Sequence, residues 1–292
     1  MSRSLSIILP ARNEAATLEK LLPEIRALHP EAEIIVVNDG STDNTASIAA
    51  DNGVHLINHP YPMGNGAAVK SGARVAAGEL LLFMDADGQH LPADIPRLLE
   101  KMDDGYDMIV GARPVTSHAN PWRMFANLAY NRLASWITSH DIRDLTSGFR
   151  IVKAGKFREF LYMLPNGFSY PTTITMAFFR TGYPVGYAPI ALNPRTGDSH
   201  IRLLRDGVKF LLIILRVGTL YSPLRIFFPT GVLFFLLGAG NYIYTYISES
   251  RFTNMSALLF IAAIMVFLIG LVSEQVTTLM YSRTAGNYRQ PD

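Results

Sequence analysis

Two aspartates two positions apart, Asp85 and Asp87, stand directly behind the apolar run Leu80–Met84. Alternate side chains of an extended segment point to the same side, so both carboxylates face one way. Hard oxygen donors in that arrangement suit Mg²⁺ or Mn²⁺, ions that bind one or two carboxylates together with phosphate oxygens. Such an ion offsets the charge of a diphosphate and stabilises its departure. Asp-x-Asp also occurs in solvated loops and helix caps; the buried strand pattern just before it favours a site. Three further polar clusters follow apolar runs: Pro10–Glu14, Asn38-Asp39 and Gly111-Ala-Arg113. Gly64-Asn-Gly66 resembles the start of a dinucleotide fingerprint, but position 69, where the third glycine would fall, is Val69, which argues against hydride transfer. That loop is read as a close backbone approach to a ligand or as a helix cap.

The elements that position these clusters alternate. Leu5–Leu9, Glu33–Val37, Val54–Ile57, Leu80–Met84 and Met108–Val110 read as strands. Glu14–Leu28, Gly64–Ala77 and Ala93–Met102 carry apolar residues at helical spacing. Asp39–Asp43 supplies a turn and a helix N-cap. Strands alternating with helices imply an α/β fold with a mainly parallel sheet, and ligands of such sheets sit at the carboxyl ends of the strands. All four polar clusters fall there, so the pattern predicts one composite site.

Composition divides the chain. Overall it is 49% hydrophobic and 17% charged with a net charge of +2, which excludes disorder and gives no sign of a nucleic-acid binder. It has no Cys, which removes disulfides and thiolate chemistry, and its 7 His show no metal-binding spacing. Between Ile226 and Ser282 the charged residues are Glu249, Arg251 and Glu274 alone. The uncharged runs Ile226–Ser248 and Phe252–Ser273 would each span roughly 33 Å as a helix, enough for a hydrocarbon core. Their short link makes a transmembrane hairpin. Lys209, Arg216, Arg225, Arg283 and Arg289 lie outside it and Arg251 alone in the turn, which predicts cytoplasmic termini and an inner or plasma membrane location. Ile201–Leu220, basic and amphipathic, reads as a helix on the membrane face. The first residues do not form a signal peptide, because the apolar run ends at Pro10. The expected organisation is a catalytic domain over 1–200, a juxtamembrane segment over 201–225, two membrane helices over 226–282 and a tail over 283–292.

Five ordered motifs, Ser6–Glu14, Val36–Asp43, Gly64–Gly72, Asp85–Gln89 and Thr146–Arg150, together resemble the family 2 inverting glycosyltransferases of GT-A fold. Within that family the chain is most similar to the polyprenyl-phosphate branch, which includes dolichol-phosphate mannose synthase and bacterial undecaprenyl-phosphate glucosyl and aminoarabinosyl transferases. The resemblance covers about residues 5–200, and the C-terminal hairpin matches the bacterial members. It implies a nucleotide-sugar donor (UDP- or GDP-hexose), a polyprenyl phosphate acceptor in membrane lipid, Mg²⁺ or Mn²⁺ as cofactor, and a homo-oligomer, a tetramer in some relatives. It also implies roles. Pro10, Arg12, Glu14, Val37 and Asp39 would hold the base and ribose. Asp85, Asp87 and Gln89 would surround the metal, with Ala86 against the nucleotide. Arg113 would approach the diphosphate or sugar, and Arg132, Ser147 and Arg195 would face the acceptor phosphate. Arg150 and Lys70 fit surface ion pairs equally well.

Two departures from the family pattern stand out. Its usual Arg-x-x-Gly-x-Ser-Lys is here Arg195-Thr-Gly-Asp-Ser199-His200, one residue shorter and ending in His200. An imidazole is mostly neutral at pH 7 and anchors phosphate less well, so either Arg202 or Arg205 substitutes or the bound phosphate keeps His200 charged. Arg12 stands where an aromatic residue is usual. Two other readings compete. A processive polysaccharide synthase of the same fold would carry Gln-x-x-Arg-Trp, which neither Trp122 nor Trp136 completes. A membrane scaffold with a dead transferase domain would not need the intact Asp85, Asp87 and Gln89.

Overall fold

The computed structural model describes residues 3–113, 121–167, 169–191, 218–219 and 221–286. The chain divides into two compact units, Met1–Ser135 with His140–Ile201, and Trp136–Ser139 with Arg202–Asp292.

The first unit is built on a seven-stranded sheet in the order β3-β2-β1-β4-β6-β5-β7. Its strands are β1 (Leu5–Ala11), β2 (Glu33–Asn38), β3 (His55–Asn58), β4 (Leu80–Phe83), β5 (Met108–Ala112), β6 (Arg150–Lys153) and β7 (Val185–Pro189). The helices are α1 (Ala15–Leu28), α2 (Thr45–Asp51), α3 (Asn65–Val75), α4 (Ile95–Met102), α5 (Pro121–Thr138), α6 (Ala154–Arg158) and α7 (Tyr170–Thr181). β1 and β4 are buried on both faces, which is why they read as unbroken apolar runs. α1 turns Leu18, Leu21, Leu22 and Ile25 inward against them.

β6 runs antiparallel to both neighbours and makes the sheet mixed, mostly parallel. Two reversals restore the direction, so β5 ends on the same edge as β1, β2 and β4. On that same edge β6 begins, with Arg150 in register with Phe83 and Val110. The fold thus adds one further segment, that before β6, to the four polar clusters the alternation brings to this edge. The extra segment, Asp144–Phe149, leads into a strand only four residues long and bounded by Arg150 and Lys153, a pattern with no clear period.

The second unit holds α8 (Pro223–Glu249) and α9 (Asn254–Gly286). Both are long and apolar enough to cross a membrane, and most of each apolar window is exposed rather than packed in a core. Small residues let them approach: a Cβ on Gly231 would lie 3.2 Å from the Ala263 carbonyl oxygen. Asn241 Oδ1 accepts hydrogen bonds from Ser256 Oγ at 2.8 Å and Thr253 Oγ1 at 3.1 Å, closing the polar end of the hairpin. At the opposite end Arg225 Nη1 donates to the carbonyls of Trp136 and Ile137 and to Ser139 Oγ at 2.7–2.9 Å. A cavity of about 740 Å³ there is walled by Trp136, Leu224, Phe228 and Pro229, with Arg225 and Glu274 on its rim.

Candidate active site

A cavity of about 430 Å³ opens at the carboxyl edge of β1, β2 and β4. Pro10, Ala11, Arg12 and Glu14 line it from the end of β1, Asp39 from β2, Asp85, Ala86 and Asp87 from β4, and Gly64, Asn65 and Ala68 from the start of α3. Parallel neighbouring strands end side by side, which is how residues far apart in sequence meet here.

The first two loops are laced together before any ligand arrives. Thr42 N donates to Asn13 Oδ1 at 2.8 Å, Asn13 N to Ser41 Oγ at 3.0 Å, and Glu14 N to Thr45 Oγ1 at 3.0 Å. Asn13 takes a left-handed conformation (φ 58°), which Asn tolerates better than most residues. Glu14 is thereby set against the opening of the β2 loop.

Asp39 accepts three hydrogen bonds. It is buried and accepts Met63 N at 2.7 Å, Gly64 N at 2.8 Å and His59 Nδ1 at 2.8 Å. Burial by itself would raise its pKa, but the bonds from His59, Met63 and Gly64 outweigh this and hold it below the ordinary carboxylate value. An ionised carboxylate only accepts, so His59 Nδ1 carries the hydrogen toward Asp39, and Nε2 lies 2.9 Å from Ser71 Oγ. Gly64 joins this network only because it adopts φ 103°, a conformation an L side chain rarely takes, and α3 starts immediately after it. Ala67 N is taken by the Asn166 carbonyl at 3.1 Å, while Gly64, Asn65 and Ala68 at the start of α3 line the cavity, where the positive end of the helix dipole is favourable for a phosphate.

Asp85 accepts Asn65 Nδ2 at 3.2 Å, and Asp87 Oδ1 accepts Gln89 N at 3.1 Å. Gly148 backs Asp85 so closely that a Cβ there would stand 2.7 Å from its Oδ2. The missing side chain is what gives that carboxylate its place. Among the described residues no group of three His, Cys, Asp or Glu would hold a metal ion by itself. Two carboxylates on one cavity wall fit an ion that takes the rest of its shell from phosphate oxygens, as Mg²⁺ and Mn²⁺ do.

Arg113, at the end of β5, is committed to a partner. Its Nε donates to Asp144 Oδ2 at 2.7 Å, its Nη2 to Asp144 Oδ1 at 2.8 Å and to Thr146 Oγ1 at 2.5 Å. Burial opposes the charge on both side chains, but their mutual bonding outweighs it, raising the pKa of Arg113 and lowering that of Asp144. His90, stacked on Phe149 with ring centroids 4.9 Å apart, is pushed down to about 4 by burial against the opposing pull of Asp87, and is neutral at pH 7. Among the described residues, three buried polar atoms around Asp85 and Phe149 have no partner: Asn65 Oδ1, His90 Nδ1 and Ser147 Oγ.

Seven of the predicted residues, Pro10, Arg12, Glu14, Asp39, Asp85, Ala86 and Asp87, line this one cavity. Val37 does not; it is wholly buried in β2, and its side chain packs toward Gly72 of α3. Gln89 is half-buried in the loop beyond Asp87. Ser147 is buried beside Gly148, while Arg132 is exposed on α5. Arg195, His200 and the basic segment 201–217 lie outside the described residues. Among the described residues neither surface ion pair is present. Arg150 is wholly buried, and Lys70 donates to the Leu164 carbonyl at 2.9 Å and to Asn166 Oδ1 at 2.6 Å. The residues missed in the sequence, His59, Asn65, Asp144 and Ser71, act through partners 12 to 31 positions away, and no local pattern marks such pairs.

Known proteins bear on this geometry. Residues 6–161 match Glycosyl transferase family 2, and residues 222–279 match the GtrB C-terminal hairpin. The glycosyltransferase AglJ of Haloferax volcanii is 27% identical over 246 residues, covering 82% of this chain and 80% of that protein. Polyprenol monophosphomannose synthase of Mycolicibacterium smegmatis is 28% identical over 208 residues, 65% of this chain and 77% of its own length. In fold, glucosyl-3-phosphoglycerate synthase of Mycobacterium tuberculosis, crystallised with Mn²⁺, UDP-glucose and phosphoglyceric acid, superposes with a TM-score of 0.60 at 18% identity, over 74% of this chain and 80% of that one.

Proposed function

The chain belongs to glycosyl transferase family 2 and is a glycosyltransferase of GT-A fold, and from this premise we propose that it moves a hexose from a UDP- or GDP-sugar to a polyprenyl phosphate, with inversion, at the cytoplasmic face of a membrane. The observation that carries the reading is the joining of two features in one chain. A cavity walled by Asp39, Asp85 and Asp87 is followed by a hairpin of two apolar helices. An acceptor whose tail stays in the bilayer requires an enzyme held at the bilayer. The name of one relative, a polyprenol monophosphomannose synthase, supports the same acceptor, and the match to the GtrB C-terminal hairpin supports attachment to the membrane.

The roles follow from the chemistry of each group. Asp39, ionised and already fixed by three donors, offers acceptor capacity to a base edge that carries an N–H, as uracil and guanine do. Arg12 and Glu14 flank the same wall. Asp85, Asp87 and Gln89 would hold Mg²⁺ or Mn²⁺, which when bound neutralises diphosphate charge and eases departure of the nucleotide. The N-terminus of α3 adds N–H groups to the diphosphate side. Ser147 Oγ, buried and unpartnered among the described residues, would donate to the acceptor phosphate, with Arg132 and Arg195 as its cationic partners. A phosphate monoester is substantially anionic at pH 7, its second pKa being about 6, so its oxygen attacks the anomeric carbon with little need of a general base. The positive charges outside the hairpin orient both termini to the cytoplasm.

The test is direct. Purified enzyme with Mn²⁺ is given a set of nucleotide-sugars and a short polyprenyl phosphate, and the lipid fraction is read by mass spectrometry. A glycosyl-phosphoryl lipid from one donor is the expected product; its absence with every donor rejects the acceptor. A processive synthase would instead give a sugar polymer.

A further inference from the structure

Arg150 is the largest fully buried side chain of the first unit, with no solvent exposure. Among the described residues it forms no ion pair, so a full positive charge sits in the core without a carboxylate against it. A buried charge of this kind costs several kcal/mol unless its hydrogen bonds are made. Most of them are. Nη2 donates to the carbonyl of Ser147, and Nη1 donates to the carbonyl of Pro171 at 3.0 Å and to Thr175 Oγ1 at 3.0 Å, while Nε has no partner among the described residues. The guanidinium carbon lies 5.9 Å from the ring centre of Tyr170.

The fork therefore spans two pieces of chain. On one side are Pro171 and Thr175 in the first turns of α7. On the other is Ser147, within the segment 144–149, which leads into β6 and carries four contacts with the site. Asp144 grips Arg113, Thr146 takes the same guanidinium, Gly148 backs Asp85, and Phe149 stacks on His90. Besides Arg150, the segment is tied by Arg113 to Asp144, by Leu145 N to Asn131 Oδ1 at 3.2 Å, and by Gly111 N to the Phe149 carbonyl at 2.9 Å. It is tied also by the Tyr170 hydroxyl to the Gly148 carbonyl at 3.5 Å, and internally by Thr146 N and Ser147 N to Asp144 Oδ1, both at 3.1 Å.

We infer that Arg150 is a positioning residue of the transfer reaction: its guanidinium fork pins Ser147 to α7 and thereby holds Asp144, Gly148 and the Ser147 hydroxyl in the geometry the acceptor meets. This rests on the function proposed above. The planar fork is the working part, because one guanidinium reaches a carbonyl on the loop and two acceptors on the helix together, which the single nitrogen of a lysine cannot do.

The experiment compares the full-length wild-type enzyme with Arg150→Met and Arg150→Lys in detergent. Three quantities are read: kcat/KM for the polyprenyl phosphate, the Kd of the nucleoside diphosphate, and the unfolding midpoint. Arg150→Met should lose at least tenfold in kcat/KM for the acceptor, with nucleotide affinity changed less than threefold, because Asp39 and Glu14 stand on other strands. Its unfolding midpoint should stay close to wild type, since removing a buried unpaired charge offsets the acceptors left unmade. Arg150→Lys, which keeps the charge without the fork and serves if the Met variant fails to fold, should fall within threefold of the Met variant. Full rescue by Lys would overturn the inference, as would acceptor kinetics within twofold of wild type. So would a loss of nucleotide affinity and thermal stability in step with activity, which marks a merely structural residue. If the wild-type enzyme forms no lipid product, the acceptor assignment fails. The same variants are then compared by sugar transfer to water, which still depends on the place Gly148 gives to Asp85; hydrolysis unchanged in both variants would overturn the inference.

Discussion

Replacing Asp39 by Asn keeps the shape of the side chain and removes one acceptor together with the charge. Its two oxygens take three N–H groups, two on Oδ1 and one on Oδ2. An amide can satisfy Met63 and His59 with its remaining oxygen, but its NH₂ then faces Gly64 N, donor against donor. One charge-assisted bond is lost, worth about 1.5–3 kcal/mol, and the other two weaken to neutral bonds, for a total of about 2–4 kcal/mol. At roughly 2–4 °C per kcal/mol for a domain of this size, the unfolding midpoint should drop by about 4–16 °C. The charge sets the pH dependence. Because Asp39 sits below its ordinary pKa when folded, its contribution is complete above the unfolded value, near pH 4, and is lost as pH falls through the folded one. The gap between wild type and Asp39→Asn should thus be constant from pH 7 to about pH 5 and narrow below pH 4. Thermal unfolding of the detergent-solubilised full chain by intrinsic fluorescence measures it. A variant that unfolds within about 2 °C of wild type at pH 7, or a gap that persists at low pH, refutes the account of Asp39.

Other expectations follow from the same geometry. Asp87→Ala should remove nearly all turnover, roughly a thousandfold or more, while the protein still fractionates with membranes; near-normal turnover would end the metal assignment. Gly148→Ala places a methyl 2.7 Å from Asp85 Oδ2, so the Mn²⁺ concentration for half-maximal activity should rise about tenfold, with little change in nucleotide affinity measured in EDTA. UDP or GDP should raise the unfolding midpoint more with Mn²⁺ than with EDTA; equal shifts would point to the dead-scaffold reading. Arg195→Ala should raise KM for the acceptor and leave KM for the donor in place, and unchanged acceptor kinetics would discard that role.

The first five strands, the alternation of helices with them and the polar clusters at their carboxyl ends were legible in the chain itself, whereas β6 and β7 were not. Each depends on local periodicity, and burial on both faces leaves an unmistakable apolar run such as Leu80–Phe83. The two apolar helices were equally plain, since a long stretch free of charge has few other homes. What the tertiary structure decided is how groups far apart are paired. That Arg113 is held by Asp144 rather than left open to the ligand depends on β6 inserting antiparallel between β4 and β5, a reversal no local pattern encodes. That Asp39 is fixed by His59 depends on β3 lying in register beside β2. Arg150 is the sharpest case. In the sequence it ends the Thr146–Arg150 motif and fits a surface ion pair equally well, and the packing of α7 against it is what shows it buried. Periodicity reports which side of an element faces the core, whereas the partner of a buried polar group is set by the meeting of segments whose separation along the chain carries no energy until the fold has closed.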